Sequence, residues 1–165
     1  MITIILSVLL AIPQQPGESA AAAPIVDFLR LPTAACGDSI ATMTAKLGPP
    51  VATRFEFVPS VHEPTIRNVR AKLVFRHVQA TLIIVLCCNK SVLETIRVDR
   101  AAGESVLGQV LPARAVDVEN RLGRPTLRSP TKMVYKIENE VVTDTVTFWL
   151  DRAVVTHIEW RYFVD

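Results

Sequence analysis

One arrangement of apolar and polar positions runs along the chain twice. Ile40, Met43 and Leu47 recur at i, i+3 and i+7, the spacing of one helix face, and Ala115, Val118 and Leu122 repeat it. Gly37-Asp38-Ser39 supplies helix-starting chemistry ahead of the first, because Asp38 or Ser39 can accept hydrogen bonds from the free amides of the first turn. Each pattern ends in Leu-Gly-x-Pro, at Leu47-Gly48-Pro49-Pro50 and at Leu122-Gly123-Arg124-Pro125, which stops a helix.

After each stop the period changes from helical to alternating. A strand is predicted over Arg54 to Val58, where Phe55 and Phe57 alternate with charged residues, and another over Met133 to Ile137. Val69 to Phe75 and Val78 to Cys88 are apolar and β-branched, and Arg76-His77 between them predicts a hairpin turn. Val146 to Leu150 and Val154 to Tyr162 flank Asp151-Arg152 in the same way. Pairing about that turn predicts Phe148 with Val155 on one face and Trp149 with Val154 on the other. Ser91 to Gly108 predicts a further strand or short helix plus a connection. The landmarks recur at an offset of 75 residues, as Leu47 to Leu122 shows. The expected fold is therefore α+β, as two tandem repeats, each a helical segment packed on a three- or four-stranded antiparallel sheet. The repeats are expected at 37–105 and 106–165.

Residues 1–22 have the form of a cleaved signal peptide. Met1 to Ile12 is an apolar stretch too short to cross a bilayer as a helix, and Ala20 to Ala23 offers small side chains to a leader peptidase, with cleavage expected after Ala22. Residues 23–36, rich in Ala and Pro, are expected to be an irregular lead-in. Leader removal leaves no transmembrane span in this expectation, and the location is periplasmic or secreted. Export permits disulfides, so Cys36, Cys87 and Cys88 are disulfide candidates, one bridge with one thiol left over or three buried thiols. If Cys87 and Cys88 lie on a strand, only one of them can point toward Cys36.

Gly37-Asp38-Ser39, Met43 and Leu47-Gly48-x-Pro50 resemble the opening motif of the SmpA/OmlA-type outer-membrane assembly lipoproteins. Leu122-Gly123-x-Pro125, the strand through Tyr135 and the hairpin from Val146 to Trp160 extend the likeness. A tandem pair of such units is also similar to the β-lactamase-inhibitor-protein fold. The resemblance implies helical segments against antiparallel sheet. It does not carry membrane anchoring over, because Cys36 lies far from the leader, and Pro112 stands in the second copy where Gly37 stands in the first.

The formal charge of +2 comes from interspersed residues with no basic run, which argues against a nucleic-acid partner. His62, His77 and His157 have no neighbour at metal-ligand spacing, and Pro64 would break the helix that a His62-Glu63 zinc motif needs. Neither a G-x-S-x-G nucleophile turn nor a glycine-rich phosphate loop occurs, so no catalytic, cofactor or metal residue is assigned. What is left is surface. Tyr135, Trp149, Trp160 and Tyr162 are the protein-interaction candidates, since aromatic side chains bury much area with few rotatable bonds; alternatively they form the core under the helix. The expected function is an exported, non-catalytic protein-binding module acting through its sheet face. The alternatives are a structural envelope protein aiding outer-membrane assembly or stability, and an enzyme of unrecognised type.

Overall fold

The computed structural model describes residues 22–60, 63–138 and 143–164. The chain is α+β, with one antiparallel eight-stranded sheet and four α-helices among the described residues. Helices α1 (Ala22–Cys36) and α2 (Ile40–Leu47) precede strands β1 (Ala52–Pro59), β2 (Arg67–Val74), β3 (Val78–Val85) and β4 (Lys90–Asp99). A 3-10 turn (Arg100–Ala102), α3 (Gly103–Leu107) and α4 (Ala115–Leu122) lead to β5 (Leu127–Arg128), β6 (Lys132–Glu138), β7 (Thr143–Asp151) and β8 (Val154–Arg161). The strand order is β1-β2-β3-β4-β8-β7-β6-β5, so two meanders meet where β4 pairs with β8. A single hydrophobic cluster joins all four helices to one face of this sheet.

Local chemistry accounts for the helices predicted from spacing. Ser39 caps α2: its hydroxyl accepts from the Thr42 amide at 3.2 Å, while its own amide donates to the Thr42 hydroxyl at 3.1 Å. In α4 the Asp117 carboxylate accepts from the Arg114 amide at 3.1 Å and places negative charge in the first turn. Met43 and Val118, the centres of the two apolar faces, are fully buried.

Both helices stop at a glycine of the same unusual conformation. Gly48 has φ 80° and ψ −178°, and Gly123 has φ 80° and ψ −163°, a region open essentially to glycine alone. A Cβ at either position would meet nothing within 4 Å, so the constraint is conformational and not steric. Gly48→Ala and Gly123→Ala are each expected to cost about 1–3 kcal/mol in a urea titration, with the midpoint lowered and the slope unchanged.

Three expectations are corrected. Residues 23–36 are not an irregular lead-in but lie in α1, whose Phe28, Leu29 and Cys36 are buried in the core. Ile25, Phe28 and Leu29 carry helical spacing; the Ala and Pro content masks it. The β3 strand ends at Val85, three residues before the expected Cys88, because the chain turns through Asn89 with φ 50°. The β7–β8 turn falls on Arg152 and Ala153, with φ 47° and 65°, and a bulge follows. Phe148 accordingly pairs with Ile158, Trp149 with His157 and Leu150 with Val155.

Pro32 lies inside α1 and has no amide proton to give to the carbonyl of Phe28, four residues back. That carbonyl is buried with its residue, and an unpartnered buried carbonyl is costly. The Trp160 indole Nε1–H donates to it at 3.0 Å. Next to it the Tyr162 hydroxyl donates to the Leu29 carbonyl at 2.9 Å. The Phe28 ring stacks on Trp160 and Phe148, with centroids 5.4 Å and 5.5 Å away. Thus β8 supplies the donor that the helix lacks, and α1 is fastened to the sheet at its one interrupted turn.

A candidate interface on the open sheet face

With every described helix on one side, alternation leaves the other face of the sheet to side chains of the opposite parity. Leu82, Ile96, Phe148, Ile158 and Trp160 point into the core. Their strand neighbours Thr81, Arg97, Trp149, His157, Glu159 and Arg161 point away from it. Among the described residues basic groups outnumber acidic ones there: Arg54, Arg70, Lys72, Lys90, Arg97, Lys132, Lys136 and Arg161 stand against Glu56, Glu94, Asp99, Asp151 and Glu159.

Two clusters organise this face. On β1, β2 and β4, Arg70 makes a two-pronged contact with Glu94, Nε to Oε2 and Nη2 to Oε1, both at 2.9 Å. Its Nη1 reaches Glu56 at 3.3 Å, and Lys72 Nζ reaches the same carboxylate at 3.2 Å. Hydrogen bonds from Lys72 and then Arg70 hold the Glu56 carboxyl below its ordinary value, and the Glu94 pairing raises the Arg70 guanidinium further. Glu94 reaches this position because β4 carries an extra residue between the pairs Thr81–Thr95 and Leu82–Leu93. A shallow hollow of about 420 Å³ opens beside the cluster toward Thr81, Thr95 and Arg161.

The second cluster is aromatic. Trp149 and His157, cross-strand partners, stack with centroids 5.5 Å apart and planes 19° from parallel. Lys132 Nζ sits 5.6 Å from the Trp149 ring centroid, within cation–π range. Desolvation, then the nearby Arg97 charge, lowers the His157 pKa below its ordinary value. The Trp149 Nε1 is buried and has no acceptor among the described residues.

The four aromatic candidates therefore separate. Trp160 is fully buried and Tyr135 is buried with its hydroxyl on the Gly123 carbonyl at 2.8 Å, so neither offers surface to a partner. Burial raises the Tyr135 phenol to about 12. Tyr162, part-buried, is tied to α1. Only Trp149 lies on the open face. Sequence reasoning missed the basic surplus, because those residues are far apart in the chain and converge only when the strands pair; alternate positions on each strand were the available signal.

The cysteines are all free thiols. Cys36 is buried, and burial pushes its thiol up to about 11 despite Lys46 nearby, whereas Cys87 and Cys88 are exposed in the β3–β4 turn. Neither lies on a strand, so the alternation argument does not apply to them. Iodoacetamide is expected to alkylate Cys87 and Cys88 in the native protein and Cys36 only after denaturation, as peptide mass mapping would show.

His77 lies at the β2–β3 turn with Nδ1 3.4 Å from Asp99, and His62 lies outside the described residues. Among the described residues no group of His, Cys, Asp and Glu is arranged to hold a metal ion, and no helix is long and apolar enough to cross a membrane. Comparison with protein-family models, with curated proteins and with solved structures finds no match.

Proposed function

We propose that this chain is an exported, non-catalytic protein-binding module that engages its partner through the open face of the sheet. The observation that carries this reading is the grouping of His157 and Lys132 against Trp149, on a sheet face that no described helix covers and where basic side chains are in surplus. A stacked tryptophan is already ordered and so loses little rotamer freedom on binding. The basic surplus favours an acidic partner surface and a rate of association that falls with salt.

The two halves are read as copies of one unit, each a helix, a glycine stop and a three-stranded meander. Supporting this are the near-identical backbone angles of Gly48 and Gly123 at the offset of 75 residues, and the mirrored strand order about β4. On this view β4 and the two-residue β5 are the strands without a counterpart.

Quantitative capture from a periplasmic extract tests the proposal with three baits: wild type, a Trp149→Ala/Arg97→Glu variant of the open face, and Val116→Ser on the exposed side of α4. A partner retained by wild type and Val116→Ser but reduced at least tenfold on the open-face variant is the expected result. Equal retention by all three would overturn it. Sedimentation of the chain with membranes, with no retained protein, would favour an envelope role instead.

A further inference from the structure

The two edges of the sheet differ. At one end β5 is only two residues long, a common way of blunting an edge, whereas β1 at the other end runs for eight residues with an outer side that no described strand pairs. Ser60 N–H donates to the Ile66 carbonyl at 2.9 Å, so the even-numbered residues of β1 direct their backbone groups at β2. By alternation Thr53, Phe55 and Phe57 direct theirs outward. The same residues carry the exposed apolar surface: Phe55 is 59% and Phe57 69% exposed, on the helix-bearing face beside Ala71 and Val69 but beyond the reach of any described helix.

We propose that β1 pairs antiparallel with β1 of a second copy of this chain, about a two-fold axis through Phe55, making one sheet continuous across the dimer. Side chains opposite each other in antiparallel strands share a face, so the register must join positions of equal parity. Centring on Phe55 sets Phe55 against its own copy, Thr53 against Phe57, and Arg54 against Glu56 on both sides of the axis. Centring on Glu56 would oppose two like carboxylates. The Phe55 register is thus the one that joins opposite charges across the axis, covers the exposed rings and uses the outward amides. Pro59, which has no N–H, ends the ladder. A second copy is favoured over an unrelated strand because this sequence is complementary to itself.

Sedimentation velocity over a concentration series tests the pairing on the full chain. Wild type is expected to dimerise reversibly; Phe55→Lys, and separately Arg54→Glu, should each raise the dissociation constant at least tenfold without changing the far-UV circular dichroism. In a Cys87→Ser/Cys88→Ser background, Phe55→Cys should form a disulfide-linked dimer on mild oxidation, since opposed residues of a hydrogen-bonded pair lie about 5.5 Å apart at Cα. Thr53→Cys, offset from its own copy in this register, should not. A wild type that stays monomeric at all concentrations, a dimer indifferent to both charge-bearing variants, or crosslinking through Thr53→Cys and not Phe55→Cys would each overturn the proposal; pairing with another protein's strand would show as a monomer alone.

Discussion

Trp160→Ala should lower stability by about 3–5 kcal/mol, the range for removing a large aromatic side chain from a packed core. Small domains are stable by only about 5–15 kcal/mol, so this variant is expected to be partly unfolded at 37 °C. Trp160 is fully buried, stacks on Phe28, and donates to the Phe28 carbonyl that Pro32 leaves without an amide. Packing and hydrogen bonding can be separated. Trp160→Phe keeps most of the apolar contact but orphans the carbonyl, at a cost of about 1–3 kcal/mol beyond the lost ring area. Pro32→Ala restores an amide at the position that would serve that carbonyl. It should therefore stabilise the Trp160→Phe background more than it stabilises wild type, a positive coupling measurable as a double-mutant cycle by denaturant titration. Zero coupling would mean that the indole hydrogen bond contributes nothing.

Removal of α1 is expected to have the second large effect. A chain beginning at residue 37 lacks Phe28, Leu29 and Cys36, which leaves Phe148 and Trp160 open to water and the carbonyl partner of Tyr162 absent. Retained far-UV circular dichroism with lost near-UV signal, dye binding and a broad thermal transition are predicted, the behaviour of a sheet whose tertiary packing has gone. A chain beginning at residue 22 keeps every described element and should unfold cooperatively. A sharp transition in both chains would show that α1 is dispensable.

Elements whose signal is local were legible in the sequence. Ser39, the Met43 face and the Gly48 stop lie within a dozen residues, and helix, cap and terminus all appear where spacing placed them. The β2–β3 and β7–β8 hairpins were legible for the same reason, and so was the β2–β3 register set by the Arg76-His77 turn, but the β7–β8 register was not. Arg152 and Ala153 adopt left-handed backbone conformations that their side chains do not advertise, and the bulge at Thr156 on β8 has no glycine to mark it. The α1 helix was hidden because Pro32 argues locally for a break. Its compensation comes from Trp160 at the other end of the chain, a contact no window of sequence can contain. The candidate face shows the same limit. Trp149 stood out by type, as did Tyr135 and Trp160, yet only pairing with β8 puts Trp149 on the open side and the other two in the core.

On the proposed function, the sheet face that no described helix covers is where this protein meets its partner. Carbene footprinting with mass-spectrometric mapping, on the chain alone and bound to the partner that capture retains, tests it most directly. Protection is predicted at Trp149, His157, Lys132 and Arg161, with unchanged labelling of Val116 on α4. Protection of Val116 and the helical side, with Trp149 and its neighbours labelled as in the free chain, would contradict it.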